Sequence, residues 1–409
     1  MTPAGVDVRV TREADGVIRV AAGPAGPTVA RAVLDVAGAV LSWPVLGGSG
    51  PPVAEIHDPA RAQQWLWALY GERVAAAVHA AAAGEPTDLP TPAEPTELAG
   101  AAARLGLGHW AARWWPASQL DGIPALEADV LGLELAALTH RCQQLFDDGD
   151  DQPDDCAAEL IEEHRGAIDP LIRWWRAAAG PENQLERVLR LLADAADRTG
   201  LEGPELRRLE AALDRPEPVP QPVDVGPLFA RHGDHALAAG HPGDAGGRVI
   251  ARGAATNDWR RYPPGLVDAA EHAVTWTARA LGARRLIEVE AVAAPTGGAF
   301  LAAEVRVDGG EAARLPLARR DDLWTGRADL DLRAAATPPR IDVDVLLPGF
   351  DPGPDASGDA EARDDRDDRH AIRALVRRRL AAAAQSPPYD APLGPFLAEF
   401  AAATGDEDF

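Results

Sequence analysis

The residues of this chain whose types and spacing best suit chemistry are His232, Asp234, His235, His241 and Asp244. They fall within thirteen residues of the stretch RHGDHALAAGHPGD, in a chain with only ten histidines. Neutral imidazole and carboxylate are ligands for Zn²⁺ or a similar ion, and a tetrahedral site needs three or four of them to converge. The spacing matches no established metal signature. The surrounding Gly and Pro residues place the cluster in a loop, so the plainer expectation is a polar loop with unrelated histidines. Were His232, Asp234, His235 and His241 gathered on one ion, the chain would be a metal-dependent hydrolase.

Nucleophiles are poorly placed. Ser49 lies in Gly47-Gly48-Ser49-Gly50-Pro51, which lacks the closing glycine of a nucleophile elbow and reads as a glycine loop. Cys142 and Cys156 are the only cysteines. They are too few for a disulfide scaffold and are not spaced as a zinc knuckle or redox pair, so both are expected reduced and structural. A helical Glu-x-x-His metal motif fails at His164, because Ile161 stands where the acid is required. The acidic run Asp147 to Asp155 lacks the ligand order of an EF-hand. The chain contains no lysine, which excludes P-loop, kinase-type and Schiff-base chemistry. No catalytic constellation and no cofactor motif emerges.

Two features suit binding better. Eleven Trp stand against three Tyr, and Arg113-Trp114-Trp115 and Arg173-Trp174-Trp175 form two similar phrases. Adjacent Trp residues point to different sides of a helix, so of Trp110, Trp114, Trp115, Trp174 and Trp175 some are expected at an interface, where Trp and Arg are enriched. The alternative is core packing with the arginines stacked on the rings. Near the C-terminus, Arg373, Arg377, Arg378 and Arg379 accompany Ile372, Leu375, Val376 and Leu380 at helical spacing. This basic amphipathic helix either docks on the acidic body of its own chain, the preferred expectation, or binds a partner.

The elements that carry these residues divide the chain. Alternation in Val6 to Val10 and Gly16 to Ala21 predicts a hairpin, Thr28 to Leu41 fits helix or strand, and Asp58-Pro59 starts a helix through Val78. Residues 1–83 are thus expected to form a small α/β domain. The proline-rich stretch 84–95 reads as a linker. Residues 96–214 carry successive helical stripes and half the net charge, predicting an acidic, Trp-rich helical bundle. After a second proline linker, 215–222, the period changes from 3.6 to 2, and residues 223–350 read as an antiparallel β-sandwich, Ig-like in outline. An acidic linker over 351–366 leads to the terminal helix and tail, 367–409. The fold class expected is multi-domain α+β.

The 64 acidic and 40 basic residues give a formal net charge of −24. Such a chain repels phosphate backbones and anionic membranes, so no nucleic-acid or membrane partner is expected. The N-terminus is polar and strand-like, and no apolar run approaches membrane-spanning length. A cytoplasmic location follows as an expectation. Arginine without lysine, together with abundant Ala, Gly and Pro, suits a GC-rich actinobacterial genome. The phrases HWAARWWPASQLDGIPALEADVLGLELAALTHRC and VDAAEHAVTWTARA resemble actinobacterial accessory proteins associated with gene clusters of MoxR-type AAA+ ATPases and von Willebrand A-domain proteins. The resemblance implies an accessory role beside an ATPase. The function expected is that of a non-enzymatic adaptor working through protein contacts, with no cofactor.

Overall fold

At the N-terminus the apolar residues alternate, and the computed structural model turns that alternation into an antiparallel sheet. The structure describes residues 6–22, 28–47, 50–85, 90–146, 154–177, 181–215, 228, 247–294, 300–330, 339–350, 359–385 and 393–404. The strands are β1 (Val6–Arg12), β2 (Ile18–Ala21), β3 (Arg31–Val36), β4 (Ala39–Pro44), β5 (Val53–Ile56) and β6 (Thr91–Ala93), in the order β3-β4-β5-β2-β1-β6. Val8, Val10, Ile18, Val20, Leu34, Leu41 and Ile56 supply its buried face. The stretch 28–41, open to either period in the sequence, is a short 3-10 turn followed by the β3-β4 hairpin. Strand β6 lies inside the proline-rich stretch 84–95 and pairs with β1.

Helices α1 (Pro59–Tyr70) and α2 (Glu72–Ala82) follow β5. Asp58 caps α1, accepting from the Ala60 and Arg61 N–H groups at 3.0 and 3.2 Å, and Pro59 supplies a helical φ where no N–H is needed. The single helix expected here is two, because Gly71 at φ +88 breaks it. The hairpin and α1 meet tightly. Gly38 has φ +74, a Cβ there would lie 2.4 Å from the Asp58 carbonyl, and the Trp65 indole donates to the Ala37 carbonyl at 2.9 Å.

The helical region contains α3 (Glu97–Trp114), α4 (Ala128–Arg141), α5 (Asp154–His164), α6 (Ile168–Arg176), α7 (Glu182–Thr199) and α8 (Pro204–Asp214). Gly200 in the left-handed region ends α7, and the Leu201 N–H reaches back to the Ala196 carbonyl at 2.9 Å. Two glycines of α3 set packing distances. A Cβ on Gly106 would sit 3.1 Å from the Trp43 ring, and one on Gly108 would sit 2.4 Å from Leu135 Cδ2. Helices α9 (Asp359–Ala384) and α10 (Leu397–Thr404) close the chain.

The other sheet is built from β7 (Arg248–Ala254), β8 (Val274–Leu281), β9 (Arg284–Val292), β10 (Leu301–Val307), β11 (Ala313–Arg320), β12 (Leu323–Asp329) and β13 (Ile341–Leu346). All pairings are antiparallel, in the order β13-β10-β11-β12-β9-β8-β7. Of the strand expected over 329–332, Asp329 ends β12, Leu330 follows it, and 331–332 lie outside the described residues. The β11-β12 hairpin is the member that sequence patterning misses, because its arginines blur the alternation. Trp276, Ile287, Val289, Leu315, Trp324 and Val343 belong to its core. Outward-facing charges pair across strands, Arg314 with Glu304 and Arg306 with Asp344.

The chain forms two compact units that do not follow chain order. The first comprises Met1–Ala112, Leu126–Ala230 and Asp365–Phe409; the second comprises Arg113–Ala125 and Arg231–Asp364. The layout is α+β, with two antiparallel sheets.

Candidate functional site

The segment 113–125, which sequence patterning assigns to the helical region, groups with the second unit, and its polar bonds explain why. Ser118 and Ile123 exchange backbone bonds at 2.8 and 2.7 Å, making a short hairpin. Its turn is held by one carboxylate. The Ser118 hydroxyl donates to Asp268 Oδ1 at 2.6 Å, and the Gln119 and Leu120 N–H groups donate to Oδ2 at 2.7 and 3.3 Å. Asp268 is only 2% exposed, so this acceptor is dry and fully used. Behind it, Asn257 donates to the Asp268 and Ala270 carbonyls, both at 2.8 Å, and the Tyr262 hydroxyl donates to Asn257 Oδ1. The Ala269 N–H donates to the Ala117 carbonyl at 3.1 Å.

This anchoring places Trp114, Trp115 and Pro116 beside Trp259, Tyr262 and Pro264, around a cleft of about 40 Å³ whose floor includes Val267, Ala269 and Ala294. The Trp115 indole is tied down by donation to the Pro124 carbonyl at 2.9 Å. At the cleft Arg113 is half-buried, its Cζ 4.0 Å from the centroid of the Trp114 ring and 5.4 Å from that of Phe350. Burial pulls its guanidinium pKa below the usual value. Among the described residues no carboxylate lies against it. The lining contains no His, Cys, Ser or acid. Rings, prolines, small apolar residues and one guanidinium are groups suited to binding contacts.

Of the tryptophans picked out by sequence, Trp110 and Trp174 are core residues, with Trp110 donating to the Val29 carbonyl at 2.8 Å. Trp115 is buried, while Trp114 and Trp175 are half-buried. Trp114 and Trp115 meet in the cleft. The residues that sequence reasoning missed are Trp259, Tyr262, Pro264 and Asp268, whose only signal was the phrase NDWRRYPPGLVD between β7 and β8.

On α9, Arg373 is buried and Arg377 and Arg378 are exposed. The helix packs within the first unit, with Ile372 and Val376 fully buried. Arg379 grips Glu399 through two bonds of 2.8 and 2.6 Å. Glu399 in turn accepts the Phe396 N–H at 2.6 Å, and Glu134 accepts the Leu397 N–H at 2.7 Å, so two buried carboxylates cap the start of α10. Arg104 donates to Glu134 at 2.6 Å and stacks over Phe396 at 4.6 Å. Glu134, the buried acid among the described residues of the helical region, therefore serves docking of the C-terminal segment.

The other constellations are small. His140 Nε2 lies 2.9 Å from Asp194 Oδ2, and His164 Nδ1 lies 3.0 Å from Asp129 Oδ1. The hydrogen bond from His140 holds the Asp194 carboxyl below its usual range. Near His140, burial pushes the Cys142 thiol up to about 12, which keeps it protonated and inert. His232, Asp234, His235 and His241 lie outside the described residues, and among the described residues no group of three or more metal-type ligands occurs. No helix among the described residues is long and apolar enough to cross a membrane. No protein family, no curated protein and no solved structure matches the chain.

Proposed function

We propose that this chain is a non-enzymatic adaptor or accessory protein of a multi-component bacterial system, acting in the cytoplasm through contacts with another protein. The observation that carries this reading is the cleft of the second unit, where Trp114, Trp115, Trp259 and Tyr262 surround a small apolar space with a half-buried cation at hand. Trp, Tyr and Arg are the side chains that dominate protein-protein hot spots. A network centred on Asp268 holds them in place before any partner arrives, which lowers the ordering cost of binding. In this reading residues 1–83 work as a small α/β domain, 96–214 as a helical bundle and 223–350 as a sandwich of Ig-like outline. The resemblance in His109 to Cys142 and Val267 to Ala280 favours an AAA+ ATPase, or a von Willebrand A-domain protein encoded with it, as partner.

Site-specific photo-crosslinking tests the proposal. A benzophenone amino acid at Ala117, a half-buried cleft residue, should capture a defined protein in cells of the native organism, and adding Trp114→Ala should abolish capture. Capture that persists unchanged with Trp114→Ala, or no capture at all, rejects the cleft as the adaptor surface.

A further inference from the structure

We propose that the cleft takes an extended segment of the partner in which a proline ring sits among the tryptophans and an adjacent acidic side chain pairs with Arg113. The inference rests on the adaptor reading and adds to it the chemistry of the partner.

Size comes first. A water needs roughly 10–15 Å³ of such space, so about 40 Å³ accommodates one small side chain. Lining comes second. Trp114 is half-buried and Pro264 exposed at the cleft, while Trp115, Pro116, Trp259 and Tyr262 are buried around it. Aromatic-lined grooves of this kind recognise polyproline II segments, which arrive already extended and lose little entropy on binding. A flexible aliphatic side chain would fill the same space at a greater ordering cost.

Charge decides the neighbour. In the second unit Arg260, Arg284, Arg306, Arg314 and Arg327 each meet a carboxylate of this chain within 3.2 Å. Arg113 meets rings instead, and among the described residues no acid compensates it. A half-dehydrated guanidinium with no carboxylate against it among the described residues is in an unfavourable state that a carboxylate from outside relieves through charge-assisted hydrogen bonds. The lowered pKa of Arg113 agrees with this, since its cause is burial. A basic proline-rich segment would meet the same cation and be repelled.

The test uses the full chain and a short fluorescein-labelled peptide carrying two Pro-Pro-Glu repeats, followed by anisotropy. The expected result is saturable binding that weakens with salt, and that falls about tenfold when the glutamates are replaced by glutamine, the size of a lost charge-assisted bond. Arg113→Gln should lower affinity for the glutamate peptide about tenfold and leave the glutamine peptide unchanged. Trp114→Ala should weaken both peptides, and thermal melts of the two variants establish that they fold. Equal affinity for the two peptides, an unaltered affinity in Arg113→Gln, or no saturable binding to either overturns the proposal. If crosslinking at residue 117 captures a partner while neither peptide binds, this inference fails and the adaptor reading stands; failure of both experiments removes both.

Discussion

The imidazole of His164 rests directly on the backbone of Gly132: a Cβ at position 132 would fall 2.0 Å from His164 Cδ2 and 2.2 Å from Nε2. Asp129 holds the ring in this position through Nδ1 at 3.0 Å, so α4 and α5 approach through a glycine that is also a helix interior residue. Gly132→Ala gains about 1 kcal/mol of helix propensity. Overpacking costs typically about 1–3 kcal/mol, and because the ring cannot swing away without losing Asp129, the expected net effect is a loss of about 1 kcal/mol or more. The check is a double-mutant cycle in urea. In a His164→Ala background Gly132→Ala should become neutral or stabilising; a loss of equal size in both backgrounds contradicts the contact.

The C-terminal segment is predicted to be part of the first unit's stability. Glu399 is fully buried between Arg379 and the start of α10, and Glu134 is 1% exposed. Removing one member of a buried ion pair leaves the other uncompensated, so Glu399→Ala should cost about 3–5 kcal/mol. Deleting residues 366–409 should lower the melting temperature and raise ANS fluorescence, since Phe396 and Leu397, both fully buried, would no longer cover α3 and α4. An unchanged melting temperature in the truncated protein would show that the helix works elsewhere.

Alkaline pH should destabilise the protein. The Cys142 thiol is raised to about 12 in the folded state, and burial also raises the Tyr70 phenol. In the unfolded chain these groups ionise near 8.5 and 10. Between those values and the folded pKa the native state holds more protons than the unfolded one, so stability is complete below about pH 8.5 and falls as pH rises toward 12. Cys142→Ala should flatten the early part of that decline, read from urea midpoints at stepped pH. Ellman's reagent should titrate only the exposed Cys156 in the native protein, and both thiols after denaturation.

Asp268 is predicted to be the most sensitive polar residue of the second unit. It accepts from Ser118, Gln119, Leu120 and Ala270. Asp268→Asn turns one acceptor into a donor facing N–H or O–H groups. The expected loss is about 2–4 kcal/mol, against about 1 kcal/mol for Ser118→Ala. Hydrogen exchange at residues 118–123 should accelerate in Asp268→Asn before the strands of the sheet are affected. Protection of that hairpin equal to wild type would refute the anchor.

Local pattern made much of this molecule readable in advance. Asp58-Pro59 marks the start of α1 because a cap and a preset φ act within one turn. The stripes of α4 and α7, and the alternation in β8 to β10 and β13, record which face each element buries. The apolar spacing of Ile372 and Val376 was legible, but α9 begins at Asp359, inside the stretch expected as an acidic linker, so only its C-terminal half is basic, and Arg379 gave no sign that it would find Glu399. Sequence composition likewise excluded lysine chemistry outright.

What only the tertiary structure decided is where chain segments distant in sequence meet. Residues 113–125 leave the helical region because Asp268, some 150 residues away, offers a dry carboxylate to three of their donors. No periodicity encodes such a bond, since its energy exists only when both partners are desolvated together. Trp114 and Trp259 acquire a shared cleft for the same reason. From the sequence, adjacent tryptophans indicate that one of them turns away from the core. Which ring, and toward which second aromatic cluster, is set by packing between elements, because burial is a property of the assembled neighbours and not of the residue.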